Sequence, residues 1–280
     1  MRGLHGIFAP VVTPFLPGSE DLDLDGFRAN GRAHLADGLA GLVVAGSTGE
    51  AALLDEAERT ALVAAAREVA PSDRLVIAGT GAESTRQCLT RCRAARDAGA
   101  DAVLVVAPHY YANAMTLAAL RAHYQRVADA SPLPVILYNI PKYMHFALPA
   151  ELVAELAAHP NVVGIKDSSG DATMLAGFLA AQSETFTVLT GSGAGLHAAL
   201  QAGARGGILA VSLFAGPTRS IACFTPGTPS FATITCARGV RIACPAAAAA
   251  ASPAAWAPTT ASAVGPAKSE TARIPPRAPA

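Results

Sequence analysis

Lys166 is the residue with the clearest chemical potential, because it closes a short apolar run in the stretch NVVGIKDSSGD, residues 161–171. Burial at a strand end disfavours the charged form of a lysine and can leave a neutral amine. A neutral amine can attack a ketone and form a Schiff base. Taken alone, the stretch also fits an ordinary exposed lysine beside Asp167, so the rest of the chain must decide.

Composition narrows the class of protein. The chain has 280 residues, of which 51% are hydrophobic and 15% charged, with no net charge. This gives no electrostatic reason to expect nucleic acid or an acidic membrane as partner. No apolar run reaches the length of a membrane span, and the N-terminal residues lack a signal-peptide pattern. Five cysteines, an odd number, do not form a disulfide framework. We therefore expect a cytoplasmic protein without nucleic-acid or membrane partners.

Short apolar runs alternate with amphipathic segments as far as about residue 211. Eight runs are predicted to be strands: residues 7–13, 41–45, 75–78, 102–106, 135–138, 162–165, 186–189 and 207–211. Seven segments are predicted to be helices: residues 25–37, 55–69, 85–98, 116–130, 149–158, 171–181 and 195–202. The alternation indicates a parallel α/β fold. A doubly wound sheet is possible, but the count fits a (β/α)₈ TIM barrel better.

Polar residues collect where the predicted strands end. In a (β/α)₈ barrel these ends form one rim, which carries the active site. Each residue by itself could be a helix cap or part of a turn, but together they indicate a site. They are Thr13, Ser47, Thr48, residues 109–111, Tyr138, Asn139, Lys166 and residues 191–193.

The turn GSTGE, residues 46–50, follows the second predicted strand. Its glycines permit a sharp bend that exposes backbone N–H groups, and Ser47 and Thr48 add hydroxyls, which suits a carboxylate. The alternative is a plain helix N-cap. Tyr138 closes the fifth strand, beside Lys166 in a barrel, where its phenol could relay a proton. The alternative for Tyr138 is a core aromatic with a satisfied hydroxyl.

Further candidates lie at the other strand ends. Tyr110 and Tyr111 follow Pro108 at the end of the fourth strand, a kind of position that is also common at subunit interfaces. The turn GSGAG, residues 191–195, could cradle a phosphate or could be a plain tight turn. Gly191 and Leu209, in the turn after the seventh run and within the eighth, are expected to contact substrate.

Four segments carry a family resemblance. GSTGE, PHYY, YNIP and GIKDSSGD follow one another at the ends of strands 2, 4, 5 and 6. In this order they resemble the dihydrodipicolinate synthase / N-acetylneuraminate lyase family of class I aldolases, over about residues 4–211. The resemblance implies a (β/α)₈ barrel without metal or organic cofactor, usually a homotetramer. Its expected partners are a small-molecule 2-oxo acid and an aldehyde.

The resemblance also implies a role for each matching residue. Lys166 would form the Schiff base with pyruvate or another 2-oxo acid, and Tyr138 would transfer protons. Ser47 and Thr48 would bind the substrate carboxylate, with Thr48 also linking Tyr138 to the proton relay. Tyr110 matches a tyrosine that reaches into the site of a neighbouring subunit. The expected activity is that of a carbon–carbon lyase of the aldolase type.

One departure from the family concerns the second substrate. The dihydrodipicolinate synthases proper carry an arginine two residues after the YN-x-P proline, where it holds the carboxylate of the aldehyde, but this chain has Tyr143 there. The difference favours aldolases with another acceptor over 4-hydroxy-tetrahydrodipicolinate synthase. The alternatives that stay open are that synthase, a sugar-acid dehydratase using the same Schiff base, and an inactive 2-oxo-acid-binding pseudoenzyme.

The last quarter of the chain is different in composition. Residues 214–280 contain no leucine or aspartate, and Glu270 is their only acidic residue. An Ala/Pro-rich segment of this kind buries too little apolar surface to fold. It is what a GC-rich gene yields in a shifted reading frame, and we hypothesise a frameshift around residues 213–224. We therefore expect a catalytic barrel over residues 1–213, without its eighth helix and C-terminal helical bundle, and an irregular, disordered tail over residues 214–280.

Overall fold

The computed structural model describes residues 3–214 and two short strands, Ile234–Thr235 and Arg241–Ile242. Eight parallel strands close into a barrel in sequence order, with the last strand pairing with the first. This confirms the predicted (β/α)₈ fold. The strands are β1 Gly6–Pro10, β2 Gly41–Val44, β3 Leu75–Gly79, β4 Ala102–Val106, β5 Val135–Asn139, β6 Val162–Asp167, β7 Thr187–Thr190 and β8 Gly206–Ile208.

Helices follow each of the first seven strands, as the sequence predicts. Five of them begin at a residue whose side chain caps the helix, and the helix Glu56–Val69 has a complete capping box in which Asp55 and Glu58 satisfy each other's backbone N–H groups. The helices are α1 Leu24–Ala36, α2 Glu56–Val69, α3 Thr85–Asp97, α4 Leu117–Ala130, α5 Pro141–Met144, α6 Ala150–Ala157, α7 Ala172–Leu179 and α8 Leu196–Gln201.

The structure differs from the sequence prediction at several element ends; the first strand, for example, covers Gly6–Pro10 and not residues 7–13. Strand β6 continues through Lys166 and Asp167, because both residues pair with β5 and β7. The eighth run is shorter than predicted, since β8 ends at Ile208 and a 3₁₀ turn, Ala210–Leu213, follows. The short helix α5 was not predicted; four residues are too few to show a helical period.

The core fills the barrel and the layer between sheet and helices. Large side chains that are fully buried include Phe8, Phe27, Tyr124, Phe178 and Phe186. Each contributes about 1.5–3 kcal/mol when it leaves water. This packing fixes the positions of the strand ends and therefore also the positions of the rim residues.

The predicted tail lies almost wholly outside the described residues. Its frameshift, its disorder and the missing eighth helix are expectations about residues 215–280, of which the structure describes only β9, Ile234–Thr235, and β10, Arg241–Ile242, paired antiparallel. In the part of the chain that is described, no helix combines the length and apolarity needed to cross a membrane.

Candidate active site

Lys166 and Tyr138 form the centre of the site. They are register partners on the adjacent strands β6 and β5, so their side chains project from the same face of the sheet. Both are buried, with exposures of 6% and 5%. The Lys166 Nζ atom lies 4.2 Å from the centroid of the Tyr138 ring. The structure therefore decides against the interpretation of Lys166 as an exposed strand-end lysine.

Ser47 joins this pair from the turn that follows strand β2. Its Oγ atom lies 3.4 Å from the Tyr138 Oη atom, a long hydrogen bond. Within the described residues no hydrogen bond joins Thr48 to Tyr138; Ser47 makes that contact, and a relay role for Thr48 stays a prediction. Thr48 is half-buried beside Ser47 in the same 3₁₀ turn, Ser47–Gly49. The backbone N–H groups of both residues lie at the start of that turn. No carbonyl group within the turn can accept a hydrogen bond from them.

The turn that carries Ser47 and Thr48 is strained and firmly anchored. Two non-glycine residues that flank it, Ala45 and Glu50, have left-handed backbones with φ of 51° and 58°. Such conformations cost about 1–3 kcal/mol each and persist where surrounding structure enforces them. Thr13 donates from Oγ1 to the Gly49 carbonyl at 2.7 Å. Thr13 therefore lies at the predicted rim, and its hydrogen bond anchors the turn that carries Ser47 and Thr48.

Arg59 anchors the same turn from behind. Its guanidinium donates to the carbonyl of Ala51, just after the turn, and to the carbonyl of Gly79 at the end of β3, at 3.3 Å. Burial, and secondly the nearby Arg91, lower the pKa of Arg59 to about 10. The group is still charged at neutral pH, so it fixes the turn through charge-assisted hydrogen bonds.

Gly191 serves the site by leaving space. A methyl group at this position would overlap Ser168 Oγ and come within 3.0 Å of Lys166 Cε. Any larger residue would therefore displace the Ser168 side chain and crowd that of Lys166. Leu209 follows β8 and is fully buried in the hydrophobic core. Neither residue lines the cavity of about 630 Å³ that opens beside the turn Ser47–Gly49, so substrate contact by Gly191 and Leu209 stays a prediction.

Tyr110 lies apart from the buried pair. It is 77% exposed and stacks edge-on against Tyr111, with ring centroids 4.9 Å apart. Among the described residues it has no hydrogen bond to Tyr138 or Ser47. Its loop is held by Glu83, whose carboxylate accepts the backbone N–H groups of His109 and Tyr110 at 2.9 Å.

A cavity of about 630 Å³ opens beside the turn. Ser47 lines it, whereas Lys166 and Tyr138 do not, and it lies over the ends of β2 to β5. Its wall mixes apolar residues with charged ones: Glu50, Ala51, Ala52, Leu53, Leu54, Arg59, Gly81, Ala82, Glu83, Gln87, Arg91, Val106, His109, Ile140 and Tyr143. No cluster of three or more His, Cys, Asp or Glu side chains suited to a metal ion occurs in the described part of the chain.

Comparison with known proteins agrees with this geometry. A sequence model of the Dihydrodipicolinate synthetase family matches residues 3–225. The chain belongs to that family. Its relatives are aldolase-type carbon–carbon lyases, so the predicted enzyme class is confirmed.

Individual relatives support the assignment. The 4-hydroxy-tetrahydrodipicolinate synthase of Xanthomonas axonopodis pv. citri is 42% identical over 215 residues, 76% of this chain and 70% of the relative. The same-named enzyme of Methanoculleus marisnigri is 36% identical over 222 residues, 79% of this chain and 75% of the relative. A chloride-inhibited dihydrodipicolinate synthase from Acinetobacter baumannii, solved with pyruvate, superposes with a TM-score of 0.74 at 34% identity, covering 79% of this chain and 75% of that structure.

Two anchoring residues were missed from the sequence, Arg59 and Glu83. Arg59 carried a readable signal, because it lies at helical spacing from Leu62, Val63 and Ala66, on the apolar face of α2. An arginine on that face must be buried and must find partners. Glu83 gave no such signal, since a loop residue shows no period.

Proposed function

We propose that this chain is a Schiff-base-forming lyase that joins a 2-oxo acid such as pyruvate to an aldehyde, or cleaves the corresponding product. The observation that supports it best is the placement of the Lys166 amine, buried and 4.2 Å from the Tyr138 ring centroid. Ser47 contacts the phenol of Tyr138 at 3.4 Å. An amine, a proton carrier and a polar turn thus meet at one rim.

The reaction starts at the amine of Lys166. Its Nζ lone pair attacks the ketone carbon of the 2-oxo acid, and loss of water gives an iminium ion. The iminium withdraws electrons, so a proton can leave the adjacent carbon and an enamine forms. The enamine carbon attacks the aldehyde and makes the new carbon–carbon bond, and water then releases the product from Lys166. Cleavage is the same sequence in reverse.

Tyr138 and the strained turn have separate tasks. Tyr138 accepts and returns the protons of the carbinolamine and of the new alkoxide, with Ser47 as the next group along the relay. The hydroxyls of Ser47 and Thr48 and the free amides of their turn hold the carboxylate of the 2-oxo acid. Because the turn is anchored by Thr13 and Arg59, the carboxylate is fixed relative to Lys166.

The decisive test is reductive trapping. Incubation with pyruvate and borohydride should add the mass of the reduced adduct to the peptide that contains Lys166, as measured by mass spectrometry. Lys166→Ala should abolish the adduct, while Lys142→Ala, which removes an exposed lysine near the rim, should leave it intact. A folded wild-type protein without an adduct would refute the mechanism.

The second substrate is proposed to lack a carboxylate. Tyr143 lines the cavity where the dihydrodipicolinate synthases proper carry a carboxylate-binding arginine. The two arginines of the cavity wall are engaged, Arg59 with backbone carbonyls and Arg91 with Glu56. The wall therefore favours a neutral or hydroxylated aldehyde.

A second candidate follows from the names of the relatives. A 4-hydroxy-tetrahydrodipicolinate synthase makes a dicarboxylic product, so its aldehyde must bring one carboxylate. Comparing aspartate semialdehyde with neutral hydroxyaldehydes separates the two candidates. Tyr143→Arg should raise kcat/KM for the carboxylated aldehyde about tenfold or more, since a charge-assisted hydrogen bond contributes about 1.5–3 kcal/mol. Tyr111→Arg, on the exposed rim, is the control.

The remaining expectations are also proposals. A homo-oligomer, a tetramer by family resemblance, fits the exposed Tyr110 and Tyr111, although one similar structure is of a monomeric variant. A cytoplasmic location fits the free, buried Cys88 and Cys92. Analytical ultracentrifugation tests the oligomeric state, and cell fractionation tests the cytoplasmic location.

A frame-shifted tail is supported by the family match, which ends at residue 225. Sequencing the gene tests this, because the alternative reading frame should encode amphipathic helices.

Activity separates the remaining alternatives. If the protein with the restored frame is active and the chain as it stands binds pyruvate without turnover, this chain is a pseudoenzyme. Water loss without carbon–carbon cleavage would instead identify a sugar-acid dehydratase.

A further inference from the structure

The strand ends beside the catalytic pair carry a second, fully buried polar pair, Asn139 and Asp167. They are register partners, one step beyond Tyr138 and Lys166 on the same two strands. Side chains alternate between the faces of a sheet, so Asn139 and Asp167 project from the face opposite to the catalytic pair. Their exposures are 0% and 2%.

The two side chains are joined directly. Asn139 Nδ2 donates to Asp167 Oδ1 at 2.8 Å. The other acceptors are used as well: Asn139 Oδ1 accepts the Leu148 N–H at 2.9 Å, and Asp167 Oδ2 accepts the Ser169 hydroxyl at 2.7 Å. Among the described residues no lysine, arginine or histidine forms an ion pair with Asp167.

A buried carboxylate without a cation is costly unless hydrogen bonds compensate it. Here the compensation requires Asn139 and the loop after β6 to keep one arrangement. The backbone supports the same arrangement, since Ser168 N–H donates to the Asn139 carbonyl at 2.8 Å and Gly191 N–H to the Asp167 carbonyl at 2.6 Å. The side-chain hydrogen bond between Asn139 and Asp167 therefore connects β5, β6 and the loops that follow them.

That point is where the pairing of β5 with β6 ends. Both strands stop at these residues, β5 at Asn139 and β6 at Asp167. Without a cross-link, strand termini separate easily, and the residues just inside the end move with them. Tyr138 and Lys166 are those residues.

We propose that Asn139 and Asp167 are positioning residues, whose hydrogen bond on the outer face of the barrel holds Tyr138 against the Lys166 amine on the inner face. This inference rests on the proposed function for its chemical consequence. It predicts a defect in the rate of Schiff-base chemistry. Pyruvate binding should change little, because its carboxylate is held by the turn after β2.

The test compares Asn139→Ala and Asp167→Ala with the wild type in borohydride trapping at increasing pyruvate. Both variants should trap at a maximal rate about 10- to 100-fold lower, the effect of a small misplacement of reacting groups, with the half-saturating pyruvate concentration nearly unchanged. Asp167→Asn should recover most of that rate, since an amide oxygen can still accept from Asn139 and its NH₂ can donate to Ser169. Two alanine variants guard against one of them failing to fold.

Asn161 provides a matched control at the other end of β6. It precedes the opposite end of β6, where its Nδ2 donates to the carbonyls of Ala128, Ser131 and Leu133 at 2.9, 3.0 and 3.3 Å. Asn161→Ala should lower Tm without slowing trapping per folded molecule. If Asn139→Ala lowers Tm in the same way and traps at the wild-type rate, the pair is merely structural and the proposal is overturned.

A crystal structure of Asn139→Ala decides the geometry independently of catalysis. The distance from Lys166 Nζ to the Tyr138 ring centroid should increase beyond the 4.2 Å of the wild type. An unchanged distance overturns the positioning role. Absence of trapping in the wild type would instead refute the proposed function, and this structure would still decide whether Asn139 positions the pair.

Discussion

Two buried tyrosines of this molecule have opposite surroundings. Tyr138, on β5, is 5% exposed, lies over the Lys166 amine and contacts Ser47 through its hydroxyl. Tyr124, on α4, is fully buried, and its hydroxyl donates to the Val105 carbonyl at 3.3 Å. Burial raises the pKa of Tyr124 far above its usual value. Both tyrosines are buried but they differ in their neighbours, and only Tyr138 has the amine and the hydroxyl that a proton carrier needs beside it.

Removing each hydroxyl should give the largest contrast. Tyr138→Phe deletes the proton carrier beside Lys166 and should lower kcat about 10²- to 10⁴-fold, the usual contribution of general acid–base catalysis. Tyr124→Phe deletes one buried hydrogen bond and should lower the free energy of unfolding by about 1 kcal/mol with little change in kcat. Steady-state kinetics and urea melts measure the two effects.

Equal kinetic losses in the two variants would show that Tyr138 acts only through packing. A normal kcat in Tyr138→Phe would remove it from the proton relay. Either result would place the proton transfer on another group, for example Ser47, which contacts Tyr138.

Substitution of Tyr110 tests whether one subunit supplies all the residues of its own site. If its hydroxyl enters a neighbouring subunit's site, Tyr110→Phe should lower kcat about tenfold, a positioning effect, while Tyr111→Phe should leave it unchanged. Mixing Lys166→Ala with Tyr110→Phe protein, followed by subunit exchange, should then restore activity above either variant alone. Full activity of Tyr110→Phe, or of a diluted monomer, would contradict this role.

His123, next to Tyr124, should give the smallest functional effect and a clear stability effect. Its Nδ1 atom lies 2.9 Å from Thr85 Oγ1, and its Nε2 atom has no partner within the described residues. Burial lowers the pKa of His123 to about 4. The unfolded chain therefore takes up a proton first as the pH falls below about 6.5, so stability is lost between pH 6.5 and 4, by about 3 kcal/mol.

The variant His123→Gln should flatten that pH dependence in urea melts at pH 7, 5.5 and 4. Burial also lowers the pKa of His34, which adds a loss of the same sign. His5→Gln, at an exposed position, is the control. An unaltered slope in His123→Gln would show that His123 does not carry the acid sensitivity.

The sequence predicted the barrel correctly, and it predicted that Tyr138 and Lys166 lie side by side. Strand and helix periods are local properties, so the alternation, the eight strands and the neighbouring positions of Tyr138 and Lys166 could be read directly. Boundaries were less accurate where pairing decides them: Lys166 and Asp167 belong to β6 because β5 and β7 extend to them.

Contacts between distant segments were decided by the tertiary structure alone. The sequence places Ser47 and Thr48 side by side, but only folding brings the Ser47 hydroxyl to Tyr138. Likewise, it shows Asn139 and Asp167 only as the residues that follow Tyr138 and Lys166, and strand register alone pairs them on the outer face of the barrel. The physical reason is that residue types and periods act over a few positions, whereas register and side-chain direction depend on the packing of the whole barrel.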